Sequence, residues 1–321
     1  MKLGIVGLGK MGANMTTRLL QGGHEVVVTD LSQEVIDEAK EKGATGAEDV
    51  KDLISRLDAP KVVWLMLPSG DPTDSVFHEA LELLSEGDIV VDGANSNWQD
   101  SVRRAETAQE QGVHFVDCGV SGGVWGLEIG YNMMVGGTDE AFSVVEPALK
   151  TLAPEHGYAH LGPSGSGHFV KMIHNGIEYA IMQSYGEGFE AMAAFPHADI
   201  DLEKVAELWR HGSVIRSWLL DLAASALEKD PNLDDIAAYV DDSGMGRWTV
   251  DFGVDNAVPM PAITAALYAR FRSRQEAPTS AKLAAALRNE FGGHSVKQSA
   301  EPVDSDDVAT SPDEPSDPAE G

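Results

Sequence analysis

The sequence is poor in cysteine and in basic side chains, and it has no long hydrophobic run. A single cysteine among 321 residues, Cys118, excludes an intrachain disulfide, and the lack of a Cys/His cluster argues against a metal site. The 23 Lys and Arg stand against 52 Asp and Glu, a formal net charge of −29 that disfavours nucleic acid and anionic membranes as partners. The longest uncharged apolar run near the middle, Val62–Leu67, is too short to cross a bilayer.

The N-terminus lacks the pattern of a signal peptide. Its apolar stretch is short, is interrupted by glycine and is followed by no cleavage site. Together with the missing apolar span, this pattern predicts a soluble, cytoplasmic protein.

The acidic excess is spread along the chain. Residues 301–321 hold eight acidic residues and no basic one, yet residues 1–300 still carry 44 acidic against 23 basic residues. Hydrated carboxylates over the whole surface keep a protein soluble at high salt. The composition therefore favours a halophilic protein over an ordinary acidic enzyme of a low-salt cytoplasm.

Short apolar runs alternate with amphipathic stretches up to about residue 162, a pattern that predicts a parallel sheet covered by helices. The predicted strands are Lys2–Val6, Glu25–Thr29, Lys61–Met66, Asp88–Val91, Val113–Asp117 and Met133–Gly136. The predicted helices among them are Thr16–Gln21, Gln33–Lys42, Asp74–Leu84, Gln99–Gln111 and Glu140–Thr151. Beyond this part, helical periodicity continues over 166–194, 202–228, 232–240 and 260–290.

A glycine-rich turn follows the first predicted strand. Gly7-Leu8-Gly9-Lys10-Met11-Gly12 fits G-x-G-x-x-G, in which the glycines allow a tight turn, a close approach of pyrophosphate and tight helix–strand packing. Asp30 ends the second predicted strand, 18 residues after Gly12, where a carboxylate can bind a ribose 2′-hydroxyl and repels a 2′-phosphate. No arginine follows in Asp30-Leu31-Ser32, so NAD is favoured over NADP; the alternative is a structural turn with a surface Asp.

The predicted helix over 166–194 carries a polar face. Four side chains at i, i+3, i+4 and i+7 fall within an arc of about 100°: Lys171, His174, Asn175 and Glu178. The opposite positions are expected in the core: Val170, Met172, Ile173 and Ile177. A lysine deprotonated by burial can take a proton from an alcohol, and a neutral glutamic acid can donate one. We therefore favour acid–base chemistry over a solvated charged face.

Three segments carry a resemblance to a known family: Asp92-Gly93-Ala94-Asn95-Ser96, Gly119-Val120-Ser121-Gly122-Gly123 and His168–Tyr179. Over about residues 1–294 the chain resembles the β-hydroxyacid dehydrogenases and, among them, the short form of the decarboxylating 6-phosphogluconate dehydrogenases. The resemblance implies that Lys171 is the general base for the C3 hydroxyl and then polarises the 3-keto acid as carbon dioxide leaves. It implies that Glu178 protonates C1 of the enediol to give ribulose 5-phosphate, an oxidative pentose phosphate reaction that needs no metal.

The resemblance also implies a binding site for a phosphorylated sugar acid. Its carboxylate and hydroxyls would contact Asn95, Ser121, Gly122, Gly123, His174 and Asn175. Its phosphate would contact Tyr179, Arg247 and Arg270, together with Arg288 and His294 from the neighbouring subunit of an obligate homodimer or higher homo-oligomer. The cofactor-binding set comprises Gly7, Leu8, Gly9, Lys10, Met11, Gly12, Asp30, Leu67, Pro68 and Asn95.

These observations predict an α/β N-terminal Rossmann-type domain followed by an all-α C-terminal domain. We expect an NAD-binding domain over 1–163, a helical substrate-binding and dimerisation domain over 164–295, and a disordered acidic tail over 296–321.

Two alternatives share the glycine-rich turn. A non-decarboxylating 3-hydroxyacid dehydrogenase of the 3-hydroxyisobutyrate or tartronate semialdehyde type shares the Ser-Gly-Gly segment and the lysine, but typically has Asn-Asn where this chain has His174-Asn175. A non-catalytic NAD-binding scaffold is disfavoured because Lys171 is present. The chain departs from the long-form dehydrogenases at Asp30-Leu31-Ser32, in place of an arginine-containing NADP signature, and at Val124-Trp125, in place of an acidic pair.

Overall fold

The computed structural model describes residues 1–297, of which the first 162 build an eight-stranded sheet. The strands are β1 Lys2–Val6, β2 Glu25–Thr29, β3 Thr45–Gly46, β4 Val62–Leu65, β5 Ile89–Asp92, β6 His114–Ser121, β7 Asn132–Gly136 and β8 Tyr158–Gly162. They lie in the order β3-β2-β1-β4-β5-β6-β7-β8. All neighbours from β3 to β6 are parallel, β7 runs antiparallel to β6, and β8 is parallel to β7.

Helices connect the strands and then continue alone. Those between the strands are α1 Lys10–Gln21, α2 Gln33–Glu41, α3 Val50–Ser55, α4 Asp71–Leu83, α5 Trp98–Gln109, α6 Gly126–Ile129 and α7 Asp139–Leu152, with a 3₁₀ turn at Gly123–Trp125. After the sheet come α8 Ser166–Ala193, α9 Leu202–Arg210, α10 Trp218–Lys229, α11 Met245–Asp255, α12 Pro261–Ser273 and α13 Thr279–Gly292. The expected fold class, a Rossmann-type α/β part followed by helices, is confirmed.

Apolar side chains cover both faces of the sheet. In β2, Val26 and Val28 face one hydrophobic core, while Val27 faces the other. In β4, Trp64 faces the same core as Val26 and Val28, and Leu65 faces the same core as Val27. Strands buried on both faces read as continuous apolar runs, which is why these strands could be predicted.

The prediction of a strand at β7 gave it no direction, and it runs antiparallel to β6. Only residues 122–131 connect β6 to β7, and a crossover to a parallel neighbour needs about a dozen residues or more. The prediction also omitted β3, β8 and α3. β3 has two residues, and β8 has no buried residue, so neither presents an apolar run.

The helical part also differs from the prediction. The segment 232–240 is not helical, because the Asp230 carboxylate accepts hydrogen bonds from the backbone N–H groups of Asp234 and Asp235 and competes with helix formation. The stretches 202–228 and 260–290 are each broken into two helices, at 211–217 and at 274–278. Helix α11 was not predicted, since glycines interrupt its apolar pattern.

Residues up to Phe271 form one compact unit and those from Arg272 another, so α13 is described by itself. The proposed division at 163 and 295 stays a prediction, and the expected acidic tail lies outside the described residues from position 298 onward. Within residues 1–297, no helix is both long enough and apolar enough to span a bilayer.

Helix α8 packs directly on the sheet through glycines. A Cβ placed on Gly167 would lie 2.4 Å from the carbonyl oxygen of Met134 and 2.6 Å from that of Asp117. A Cβ on Gly136 would lie 2.9 Å from the backbone nitrogen of Gly167. The first turn of α8 is therefore in backbone contact with β6 and β7.

We expect Gly167→Ala to lower the free energy of unfolding by at least about 2 kcal/mol, because backbone atoms cannot yield to the new methyl group. Urea denaturation followed by circular dichroism measures the change. Gly186→Ala, in the same helix, is the control: apart from its own stretch of helix, its Cβ would meet no described atom within 4 Å. That variant should gain up to about 1 kcal/mol, and equal losses in both variants would contradict the packing argument.

Candidate active site

The glycine-rich turn joins β1 to α1 at the carboxyl edge of the parallel strands. Gly7 has φ +98°, and a Cβ on Gly12 would lie 2.1 Å from the carbonyl oxygen of Gly7. A Cβ on Gly9, by contrast, would meet no atom of the described chain within 4 Å. Gly9 caps α1, whose first N–H groups have no partner within the helix. The open face at Gly9 therefore suits the phosphates of a dinucleotide.

Asp30 lies beside this turn at the end of β2. Its Oδ2 accepts a hydrogen bond from the backbone N–H of Leu8 at 2.6 Å, and its Oδ1 accepts one from Ser32 at 2.9 Å. Leu67 packs against the turn, since a Cβ on Gly7 would lie 3.0 Å from its Cδ2. The structure thus brings the glycine turn, Asp30 and Leu67 together.

Three further members of the predicted cofactor set lie on this edge of the sheet. Lys10 is exposed at the start of α1, and Met11 is half-buried against the core. The carbonyl of Pro68 accepts a hydrogen bond from Thr73 Oγ1 at 2.8 Å.

A buried ion pair shapes the loop after β5. The Asp92 carboxylate accepts hydrogen bonds from the backbone N–H of Ala94 at 3.0 Å, from Ser96 Oγ at 2.9 Å and from Arg104 Nη1 at 2.7 Å. Arg104 and Asp92 are both buried. Asn95 is exposed at the tip of the loop that these bonds hold.

Strand β6 presents three residues to α8 at alternate positions: Asp117, Gly119 and Ser121. The buried Asp117 carboxylate accepts hydrogen bonds from the backbone N–H groups of Gly165 at 2.6 Å and His168 at 2.8 Å, at the N-terminus of α8. A Cβ on Gly119 would lie 2.4 Å from the Cβ of Lys171. Strand β6 therefore fixes the start of α8 and leaves room for the lysine beside it.

The structure brings the four predicted polar residues of α8 together. Lys171 is 5% exposed, and its Nζ donates a hydrogen bond to Asn175 Oδ1 at 2.7 Å. His174 Nδ1 lies 3.0 Å from the same oxygen and 3.8 Å from Glu178 Oε2. Burial lowers the pKa of Lys171 below its ordinary value of 10.5, against the opposing effect of the Glu178 charge.

The expected apolar side of this helix is only partly buried. Met172 is in the core and Ile173 is half-buried. Val170 and Ile177 are exposed, so their placement in the core was wrong. Val170 is 37% and Ile177 49% exposed.

Three residues of the predicted phosphate set lie close together. The Arg270 guanidinium stacks 3.6 Å from the centroid of the Tyr179 ring. Arg247 forms a two-pronged ion pair with Asp242, at 2.6 and 3.2 Å. Its helix packs on α8 at Tyr179, because a Cβ on Gly246 would lie 2.7 Å from Tyr179 Cε2.

The remaining predicted site residues lie elsewhere in the chain. Ser121 and Gly122 are half-buried and Gly123 is exposed, at the carboxyl end of β6. Arg288 lies on α13 and His294 just beyond it; both are exposed within the unit that starts at Arg272.

Sequence reasoning missed the polar residues beneath the site: Asp92, Arg104, Asp117 and Asp242. A signal existed for two of them. Asp92 directly follows the predicted strand Asp88–Val91, and Asp117 is the last residue of the predicted strand Val113–Asp117. An ionised side chain at the end of a buried strand needs a partner. Arg104 lies 12 residues from Asp92, and the partners of Asp117 lie 48 and 51 residues from it, so the sequence could not name them.

Comparisons with known proteins show the family to which the chain belongs. Residues 2–162 match the family described as the NAD binding domain of 6-phosphogluconate dehydrogenase, and residues 167–298 match its C-terminal domain. The chain belongs to the 6-phosphogluconate dehydrogenase family. It is 45% identical over 298 residues to the NAD(+)-dependent, decarboxylating 6-phosphogluconate dehydrogenase of Haloferax volcanii, across 92% of this chain and 98% of that protein.

Solved structures place the family within a wider fold. The 6-phosphogluconate dehydrogenase of Plasmodium falciparum superposes with a TM-score of 0.79 at 29% identity, covering 94% of this chain and 67% of that one. The 3-hydroxyisobutyrate dehydrogenase of Mycobacterium tuberculosis gives 0.69 at 20% identity, covering 85% and 94%. The second likeness concerns the fold alone, while the match to the C-terminal domain favours the decarboxylating family over the simple 3-hydroxyacid dehydrogenases.

We expect Gly9→Ala to weaken NADH binding about tenfold or more, equivalent to about 1.4 kcal/mol, because the methyl group would occupy the open face of the turn. Fluorescence titration with NADH measures the dissociation constant. The free energy of unfolding should change by less than about 0.5 kcal/mol, whereas Gly12→Ala should destabilise the fold itself. Unaltered NADH affinity in Gly9→Ala would contradict the proposed position of the phosphates.

Proposed function

We propose that this protein is an NAD-dependent, decarboxylating 6-phosphogluconate dehydrogenase. It converts 6-phospho-D-gluconate and NAD to D-ribulose 5-phosphate, carbon dioxide and NADH. The observation that carries the proposal is the buried Lys171, whose pKa is lowered and whose Nζ contacts Asn175 one turn before Glu178. The name of the Haloferax volcanii relative supports the same activity.

The first step uses Lys171 as a base. Its neutral amine takes the proton of the C3 hydroxyl, and the hydride of C3 passes to NAD, which supplies the oxidising chemistry when bound. The hydrogen bond to Asn175 holds the amine in place. Because burial disfavours the ammonium form, the neutral base is available at a lower pH than in an exposed lysine.

The second and third steps use the proton that Lys171 has gained. The ammonium gives this proton to the oxygen of the new C3 carbonyl as the bond to carbon dioxide breaks, which leaves the enediol. Glu178 then protonates C1 of the enediol, and Lys171 takes back the hydroxyl proton as the carbonyl of ribulose 5-phosphate forms. The His174 ring is near the side chains of both Asn175 and Glu178. In this proposal it contacts the substrate hydroxyls, together with Asn95 and the loop at Ser121.

The phosphate of the substrate is proposed to bind near Tyr179. Arg270 and Arg247 supply positive charge there in an otherwise acidic protein. Arg288 and His294 are proposed to come from the second subunit of a homodimer. Four side chains along α8 support such an interface, because they are apolar and exposed in the single chain: Val170, Ile177, Ile181 and Met182.

We expect Lys171→Ala to lower kcat by about 10² to 10⁴-fold while NADH binding changes by less than about twofold. The assay follows NADH, carbon dioxide and ribulose 5-phosphate together. In the wild type, kcat/KM should rise with pH, with the midpoint of the rise at the pKa of Lys171, below 10.5. Lys150→Ala, an exposed lysine on α7 paired with Glu146, is the control. Turnover near the wild-type rate in Lys171→Ala would refute the base assignment.

The choice of NAD rests on Asp30. Its carboxylate, held at the glycine turn by Leu8, is proposed to bind the ribose 2′-hydroxyl and to repel a 2′-phosphate. The relative from Haloferax volcanii, whose name specifies NAD, supports this choice.

We expect Asp30→Asn to lower the ratio of kcat/KM for NAD to that for NADP by about tenfold or more, because a like-charge repulsion is removed. The amide oxygen can still accept the hydrogen bond from Leu8, so the glycine turn should keep its shape, and only the exposed bond from Ser32 is lost. Initial rates with both cofactors give the ratio. A ratio equal to that of the wild type would show that Asp30 does not select the cofactor.

A further inference from the structure

A buried polar contact joins α5 to α8. Ser101 Oγ lies 2.7 Å from His168 Nδ1, and both residues are fully buried. The Ser101 hydroxyl also donates a long hydrogen bond to the carbonyl of Asn97, at 3.4 Å. The contact to His168 is the shorter of the two, and either the hydroxyl or the imidazole can supply its hydrogen, depending on the tautomer of His168.

This contact lies between two parts of the candidate site. Ser101 is in the first turn of α5, directly after the loop that holds Asn95. His168 precedes Lys171 by three residues, which is nearly one turn of α8. The bonds from Asp117 reach the backbone of α8 close to its axis. A bond to the His168 side chain acts farther from the axis and so resists rotation of the helix.

We propose that Ser101 and His168 are positioning residues whose hydrogen bond sets the rotation of α8, and thereby the place of Lys171 relative to Asn95. The expected effect of this hydrogen bond on kcat rests on the proposed function. The two helices also touch through Trp98 and Phe169, with ring centroids 5.8 Å apart. Apolar contact is not directional, so it keeps the helices packed when the hydrogen bond is removed but leaves their rotation less defined.

Two substitutions of His168 distinguish the roles of its two ring nitrogens. Asparagine places its amide group near the position of Nδ1 and can either donate to Ser101 Oγ through its nitrogen or accept from it through its oxygen. The amide of glutamine reaches the position of Nε2 instead. In the wild type, the buried Nε2 of His168 has no hydrogen-bond partner among residues 1–297. His168→Asn should therefore retain the contact that His168→Gln removes.

We expect Ser101→Ala and His168→Gln each to lower kcat about tenfold or more, since displacement of a reacting group by about 1 Å can cost about 10²-fold. The KM values for 6-phosphogluconate and NAD should change by less than about twofold. His168→Asn should restore most of the rate, and the double variant of Ser101→Ala with His168→Gln should be no slower than either single variant.

Ser143→Ala is the matched control. Like Ser101, Ser143 lies in a helix and donates to the carbonyl four residues before it, that of Asp139, but it is exposed. Its loss should leave kcat unchanged. Equal losses in His168→Asn and His168→Gln, additive losses in the double variant, or wild-type kcat in Ser101→Ala would each overturn the proposal.

A measurement without substrate separates this proposal from the proposed function. The rate of acylation of Lys171 by acetic anhydride at fixed pH, read by mass spectrometry, reports the surroundings of its amine. Ser101→Ala and His168→Gln should change this rate at least about twofold, and His168→Asn should not. If the wild type shows no turnover, the proposed function is refuted, but the acylation rates still test the positioning role. Unchanged acylation in all variants would refute the positioning role.

Discussion

The Asp117 carboxylate holds the N-terminus of α8 on the sheet, and the place of the candidate catalytic side chains depends on it. Two backbone N–H groups, those of Gly165 and His168, satisfy its oxygens. Hydrogen bonds to a charged group contribute on the order of 1.5–3 kcal/mol each, and the positive end of the helix dipole favours the same charge. A buried carboxylate that would otherwise be costly is thereby stabilised, and it ties one strand to the helix that carries Lys171.

Close backbone packing of α8 on the sheet determines the burial of Lys171. Because Gly119 and Gly167 have no side chains, α8 approaches β6 and β7 until the stem of Lys171 lies on the strand. The burial that results disfavours the ammonium form and lowers the pKa of the lysine. Asn175 accepts the hydrogen bond that the confined amine still requires. The lowered pKa is therefore a consequence of glycine positions in two elements far apart in the sequence.

The sequence predicted best what is local. β1 and β2 were predicted with their observed bounds, because each is an apolar run beside a glycine or a polar turn. The polar face of α8 followed from helical spacing alone. The partners of buried charges could not be predicted, since Arg104 reaches Asp92 only after α5 has packed on the sheet. Helix α11 was missed because Gly246, needed for contact with Tyr179, weakens its helical pattern.

The passage from the sheet to the helical part has a mechanical consequence. Gly165, where α8 begins, donates its N–H to Asp117, and a Cβ on it would lie 2.7 Å from Val102 on α5. A joint confined on two sides cannot act as a hinge. Bending between the sheet and the first turns of α8 is thus suppressed. Lys171, on the second turn of that helix, therefore keeps a fixed position relative to β6.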